Sequence, residues 1–393
     1  MELQVPVAVQ TLLSALRQAG FEAYAVGGCV RDALLHKQPH DWDLTTSALP
    51  EQMKTVFADY PLFDIGAQHG TIGVRIDHQT IEVTTFRIDG SYADNRHPNQ
   101  VQFTGKLAED LSRRDFTVNA MAYSKETGLL DLFGGQEDLV AKRICCVGNP
   151  DRRFQEDALR LLRAVRFASV LSFQVEAETA AAIERNQELL CHISAERITA
   201  ELHSFLNGPG AGRLLLQFAG LFTVALPGVH ITEETGQTVD RAPEQFPLRL
   251  ALLLTSAVDP EVALCHLRLS NAEKDMVLAL LQHRTDPLPQ DAAGVRILLF
   301  RLGPDCCSLL ADFHQAQGAD VMLFRSLLQE VLERKDCYRI RDLALDGNQL
   351  QKLGCPPGPQ IGQLLERLLL QVMEEKVENT RSALTAAALK EIS

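Results

Sequence analysis

The stretch that decides the fold runs 26-VGGCVRDALLHKQPHDWDLTT-46. A strand-like run ends at Val26, two glycines follow, and a helical pattern begins near Cys29. Paired glycines let the backbone approach a phosphate, and the start of a helix offers N–H groups that lack intrahelical partners. Arg31 falls in the first turn, where a guanidinium can clamp phosphate oxygens. Taken alone, such a turn fits a purely structural role equally well. Asp41 and Asp43 tip the balance. They flank Trp42 at the start of the next strand, so the two-residue period puts both carboxylates on one face. Neighbouring carboxylates repel each other unless a cation lies between them. Hard oxygen ligands suit Mg2+, which takes one or two carboxylates and completes its shell with water and substrate phosphates. Glycines, Arg31 and the D-x-D pair, all within about 20 residues, point to a metal–triphosphate site.

Working outward, the first residues, MELQVPVAVQTLLSALRQAG, carry apolar positions at helical spacing and predict an ordinary first helix, not a signal peptide. Strands are expected at 22–26, 42–45, 71–76, 80–86 and 101–103. Glu82 shares a strand face with Thr80 and Thr84 and reads equally as a third carboxylate or as a solvated residue, so it stays outside the site. Beyond Asn149–Pro150 the strand signals fade. Helices are expected at 154–170, 177–190, 195–206, 213–222, 248–256, 271–282, 295–302, 320–333 and 360–375. The class is α+β: a mixed α/β head followed by an all-helical series.

Composition narrows the function. The 393 residues are 46% apolar and carry a net charge of −13, so several cores are expected and a uniformly basic nucleic-acid coat is excluded. Residues 87–166 hold 13 Lys and Arg against 12 Asp and Glu, or +1, leaving −14 for the remainder. Positive charge is thus relatively concentrated in one segment. Nine cysteines, an odd number without C-x-x-C spacing, argue against a zinc ribbon and for buried thiols in a reducing compartment. No apolar run approaches the ~18 residues of a membrane span. A soluble, cytoplasmic protein is expected.

Two further stretches carry chemistry. In 113-RRDFTVNAMA-122, adjacent arginines before an expected helix supply fixed positive charge. Asp115 and Asn119 are suited to bond ribose hydroxyls, or Asp115 to cap the helix. In 156-EDALRLLRAVR-166, read as one helix, Leu161, Leu162 and Val165 form a buried face. Glu156, Asp157, Arg160, Arg163 and Arg166 then fall largely away from it. That pattern is either a salt-bridged solvent face or a side-chain template for a base. A carboxylate accepts from an exocyclic amine and a guanidinium donates to a ring acceptor, so an Asp/Arg pair accepts cytosine or adenine and rejects guanine or uracil.

GGCVRD…HDWDLTT resembles the first motif of the polymerase-β-like nucleotidyltransferases, specifically the bacterial class II group of tRNA nucleotidyltransferases and poly(A) polymerases. The arginine block is similar to that family's second motif, 131-DLFGG-135 with Asp138-Leu139 to its third, a hinge, and 156-EDALR-160 to its templating motif. Ser194-Ala195-Glu196-Arg197-Ile198 with Glu201-Leu202 is similar to the fifth, a supporting neck helix with Ser194 as N-cap. The resemblance covers about residues 20–205.

The family implies a polymerase-β-like head at 1–148, a base-recognising helical neck at 149–206, a helical body at 207–325 and a tRNA-binding tail at 326–393. It implies that Asp41 and Asp43 are catalytic and hold two Mg2+. Gly28, Arg31, Arg114, Arg163 and Arg166 are then implied to contact the nucleotide, CTP or ATP, and Asp157 and Arg160 to read its base. The partner implied is the tRNA acceptor arm and 3′ end, and the activity template-independent CCA addition. Residues 86–98 resemble the flexible loop used in switching from CTP to ATP, which disfavours CC addition alone. The acidic chain ending SALTAAALKEIS disfavours poly(A) synthesis. A-addition alone stays open, as does homodimerisation. From other classes, a small-molecule nucleotidyltransferase and a catalytically silent RNA-binding protein fit the Asp157/Arg160 and Asp41/Asp43 pairs less well.

Overall fold

The computed structural model describes residues 3–89 and 101–392. The loop expected at 86–98 therefore lies, from residue 90 onward, outside the described residues. Packing gathers the chain into two compact units, Met1–Gly236 with Cys265–Arg268, and Gln237–Leu264 with Leu269–Ser393.

The first unit opens with α1 (Val7–Gln18), β1 (Ala23–Val26), α2 (Gly28–Leu34), β2 (Asp43–Thr46) and α3 (Pro50–Val56). Then come β3 (Leu62–Gly66), β4 (Thr71–Ile76), β5 (Gln79–Thr85), β6 (Arg87–Asp89), β7 (Val101–Phe103) and α4 (Leu107–Ser112). After a 3-10 turn at Thr117–Asn119 follow β8 (Met121–Ser124), β9 (Gly128–Asp131), α5 (Gly135–Val140) and β10 (Arg143–Ile144). Next come α6 (Pro150–Glu156), α7 (Leu159–Leu171), β11 (Gln174–Val175), α8 (Ala177–Asn186) and α9 (Ala195–Leu206).

Seven strands form one sheet in the order β3-β4-β5-β2-β1-β8-β9. Its neighbours are antiparallel except β2 and β5, which makes the sheet mixed, as expected. The parallel pair places Asp43 opposite Glu82. Leu12 and Leu16 of α1, with no exposed surface, seal the sheet beside β1, because apolar residues four apart share one helix face.

Two expectations need correction. No helix follows Arg113-Arg114: the chain makes a 3-10 turn and enters β8, whose four residues are all buried. A fully buried strand shows no alternation, so periodicity could not separate it from a helix. The helix expected at 154–170 is two helices, broken at Asp157, which is extended (φ −143°, ψ 105°). The cysteines are all free, but Cys191 and Cys265 are exposed, so not every thiol is a packing residue. Among the described residues, no helix is long and apolar enough to cross a membrane.

The second unit is helical. Ala292–Ala316 is kinked at Gly303 (φ 75°), a left-handed conformation that favours glycine, immediately before Pro304. One core gathers Val295, Leu299, Phe324, Val331 and Leu369, and another Leu350, Leu364, Leu368 and Leu384. Arg296, 5% exposed, ties three segments together. Its guanidinium donates to the Met373 carbonyl at 2.9 Å, to Asp336 at 2.8 Å and to Glu375 at 2.7 Å. Arg296→Ala removes the donor to the Met373 carbonyl, while Asp336 keeps Arg334 and the exposed Glu375 keeps water, so a cost of about 2 kcal/mol of stability is expected. Urea unfolding checks this, and a loss below about 1 kcal/mol would show the clamp to be unimportant.

Candidate active site

The turn after β1 is set by Gly27, with φ +83°. A Cβ there would lie 3.1 Å from Nη1 of Arg114, so the glycine is needed both for backbone conformation and for close approach of that guanidinium. At Gly28, a Cβ would make only an ordinary 3.6 Å contact with Arg31. Gly28 begins α2, and Arg31 is its fourth residue, at the end of the first turn where the sequence predicts it.

Arg114 is held by Asp110 of α4, which has no exposed surface. Asp110 accepts from Arg113 at 2.8 and 3.0 Å, from Arg114 at 3.3 Å, from the Arg87 backbone N–H at 3.3 Å and from Thr45 Oγ1 at 3.4 Å. Burial pushes its carboxyl up, but the two guanidiniums outweigh that and hold it below the usual range. The Arg114 Nε is buried without a partner among the described residues, a donor that a bound anion would satisfy.

Asp41 and Asp43 are both exposed and Trp42 between them is 8% exposed, although β2 begins only at Asp43, one residue later than expected, so Asp41 and Trp42 precede the strand. The Asp41 carboxylate is 2.9 Å from His40 Nδ1. Asp43 keeps an exposed surface, yet the protein packed around it raises its carboxyl, with Arg114 opposing and Asp41 adding to the rise. Glu82 is raised by burial and then by Asp43 and Asp41. Asp43 thus feels the charge of Asp41 and of the Arg114 guanidinium, and Glu82 feels both aspartates. No three His, Cys, Asp or Glu among the described residues are arranged as a complete metal cluster.

One arginine of α2 and two of α7 converge on a single ring. The guanidinium carbons of Arg31, Arg163 and Arg166 lie 5.1, 5.4 and 3.9 Å from the centroid of Phe167. A hydrogen-bonded chain joins two of them. Arg31 donates to Asn119 Oδ1 at 2.7 Å, Asn119 donates to Asp115 at 3.3 Å, and Arg163 donates twice to Asp115, at 2.6 and 2.8 Å. Asp115 also accepts from the Phe116 N–H at 2.8 Å. Burial works against its charge, but Arg163, then Arg160, lower it to about 2. Asp115 and Asn119 are thus committed to protein partners, not free for ribose as the sequence suggested. Arg166 pairs with Glu201 of α9.

Asp157 and Arg160 stand at the break between α6 and α7. Arg160 is 8% exposed, not on a solvent face as one continuous helix implied. It donates to Glu156 at 2.8 Å, to the Arg153 carbonyl at 3.3 Å and to the Arg113 carbonyl at 2.9 Å. Asp157 accepts from Arg197 of α9 at 2.9 Å and from the Leu159 N–H at 3.1 Å. Nη1 of Arg197 is buried without a partner among the described residues.

Sequence reasoning missed Asp110, Phe167 and the link from Arg197 to Asp157. Asp110 had a signal: it precedes Arg113 and Arg114 by three and four residues, the ion-pair spacing of a helix. Phe167 had none, because its place under three guanidiniums depends on α2 and α7 meeting in space.

Comparison with known proteins places the whole chain. Residues 23–145 match the family described as poly(A) polymerase head domain, 172–232 the RNA and SrmB binding site of polymerase A, and 244–388 tRNA nucleotidyltransferase domain 2. The chain is 38% identical to a CCA-adding enzyme of Geobacillus sp. (strain WCH70), covering 94% of this chain and 93% of that protein. It is 36% identical to that of Pediococcus pentosaceus, covering 97% of each. The crystal structure of the Bacillus stearothermophilus CCA-adding enzyme in complex with CTP matches with a TM-score of 0.83 at 32% identity, over 98% of this chain and 96% of that one. A Thermotoga maritima CCA-adding enzyme complexed with tRNA shares the fold, with a TM-score of 0.68 at 19% identity over 98% and 95%.

Asp115→Asn is expected to lower stability at neutral pH by about 2 kcal/mol, the size implied by a carboxyl lowered from 3.8 to about 2. A depressed folded-state pKa stabilises above the unfolded value, so the contribution is lost as pH falls from about 4 to about 2. Urea midpoints of both proteins across that range check this. A gap that stays constant with pH would exclude an ionised Asp115.

Proposed function

The chain belongs to the CCA-adding enzymes, which are tRNA nucleotidyltransferases, and from that premise we propose that it builds or repairs the entire 3′-terminal CCA of tRNA, using CTP and ATP and no nucleic-acid template. The observation that carries the mechanistic reading is a single connected polar network. Arg114 beside Asp43 is held by Asp110, and the carbonyl of its neighbour Arg113 receives Arg160 at 2.9 Å. Reaction chemistry and base reading thus share one rigid support. The similarity to a relative solved with CTP supports CTP as a substrate.

In this mechanism the RNA 3′-hydroxyl attacks the α-phosphate of CTP or ATP and pyrophosphate leaves. Asp41 and Asp43 would hold two Mg2+. The donor set fits, because two oxygen ligands suffice when substrate phosphates supply the rest, and because Asp43, raised by burial and by Asp41, and Glu82, raised by burial and by both aspartates, gain from a nearby cation. When bound, such ions acidify the attacking hydroxyl and neutralise the leaving phosphates. Arg31, Arg114, Arg163 and Arg166 position the triphosphate and screen its charge, with Gly28 at the start of α2. Asp157 accepts from the amine of cytosine or adenine while Arg160 donates to the adjacent ring acceptor. Residues 1–148 serve as the catalytic head and 149–206 as the base-reading neck. Body 207–325 and tail 326–393 hold the tRNA.

Three tRNA transcripts, ending at the discriminator base, at –C and at –CC, test this with CTP, ATP, both, GTP or UTP. Growth of the shortest to –CCA with GTP and UTP refused is the expected outcome. Addition to the –CC end alone would make it an A-adding enzyme, long A tails a poly(A) polymerase, and no extension would point to a small-molecule acceptor. Asp43→Asn is expected to slow addition at least roughly 100-fold. Asp157→Ala is expected to cut discrimination against UTP and GTP by roughly 10- to 100-fold, and unchanged discrimination would sink the template reading.

A further inference from the structure

We propose that Phe167 is a positioning residue for nucleotide binding: its ring is the shared platform on which the three guanidiniums of Arg31, Arg163 and Arg166 are set for the triphosphate. The inference rests on the reading that these arginines bind phosphate. The ring is 7% exposed and packs edge-on against Phe116, with centroids 5.7 Å apart and planes at 77°. Phe116, without exposed surface, directly follows Asp115, so the platform and the main counter-ion of Arg163 share one anchor.

Three cations within 5.4 Å of one centroid repel one another. Acids hold them only at their edges: Asp32 takes Nε of Arg31 at 2.8 Å, Asp115 takes Arg163, and Glu201 takes Arg166. The face of an aromatic ring attracts a guanidinium through its quadrupole and uses none of its N–H donors. Each arginine can therefore keep an acid at one edge, rest on the ring, and offer its remaining donors to phosphate oxygens. An aliphatic side chain would fill the same space without that attraction. The ring also joins α2 to α7, so the arginine after the glycine turn and the two arginines of the neck keep a fixed spacing.

Phosphate is common to CTP and ATP, and the base is read elsewhere. Weakening the ring's quadrupole must therefore weaken both nucleotides alike and leave base choice intact. The test replaces Phe167 in the full-length enzyme with mono-, tri- and pentafluorophenylalanine, which keep the ring's shape while progressively removing its negative face. Measured are KM for CTP and ATP, inhibition by inorganic tripolyphosphate and by cytidine, the CTP-to-UTP preference, and Tm.

KM for both nucleotides is expected to climb along the series by roughly threefold to thirtyfold in total. The tripolyphosphate Ki should climb in parallel, while the cytidine Ki, the CTP-to-UTP preference and Tm hold steady. A flat KM series would reduce Phe167 to space filling and overturn the inference, and so would a change in base preference. Arg163→Ala serves as the reference. If it leaves KM and tripolyphosphate inhibition unchanged, the phosphate reading itself fails. If it raises both while the fluorinated series stays flat, only the role of the ring fails.

Discussion

The buried carboxylate of Asp115 is the interaction on which the polar face of the first unit depends. An ionised group at 8% exposure is costly unless every lone pair finds a partner. Asp115 meets that condition with a backbone N–H, an amide and a doubly donating guanidinium. The requirement reaches outward. Asn119 is oriented by Asp115 and in turn orients Arg31, and Arg163 fixes α7 against the segment after the arginine pair. Residues separated by up to 132 positions, Arg31 and Arg163, are thereby placed relative to one another by four hydrogen bonds.

Asp110 repeats the design on the other side of the arginine pair. It gathers Arg113, Arg114, β2 through Thr45 and the chain at Arg87 into one buried cluster. The two acids divide the work with the ring of Phe167. Acids fix guanidinium edges and the ring supports guanidinium faces, so donors are left over for a ligand. The opposite sign collects at Asp41, Asp43 and Glu82, where burial and neighbouring carboxylates raise Asp43 and Glu82 while Arg114 opposes the rise at Asp43.

Much of the fold was legible because it follows local rules. The helices Ala195–Leu206 and Asn271–Gln282 and the strands Thr71–Ile76 and Val101–Phe103 have the ends that periodicity predicts. The alternating exposure of Asp41, Trp42 and Asp43 followed from an apolar side chain between two charged ones, although β2 begins only at Asp43. Buried β8 escaped because it lacks alternation. The break at Asp157 escaped because Asp-Ala-Leu carries no glycine or proline to mark it. It is stabilised by partners remote in sequence, such as Arg197.

By itself, the sequence determined the α+β class, the glycine turn into α2, the acidic pair at the entry to β2 and the residues through which the family is recognised. These rest on spacing, and spacing is local. Only the tertiary structure decided which charges meet. Whether Arg160 faces solvent or the Arg113 carbonyl, whether Asp115 caps a helix or holds Arg163, and which side chain lies beneath three guanidiniums are all set by contacts across tens of residues. A buried charge takes whichever partner the packing of distant elements brings within 3 Å, and no local pattern of residues encodes that choice.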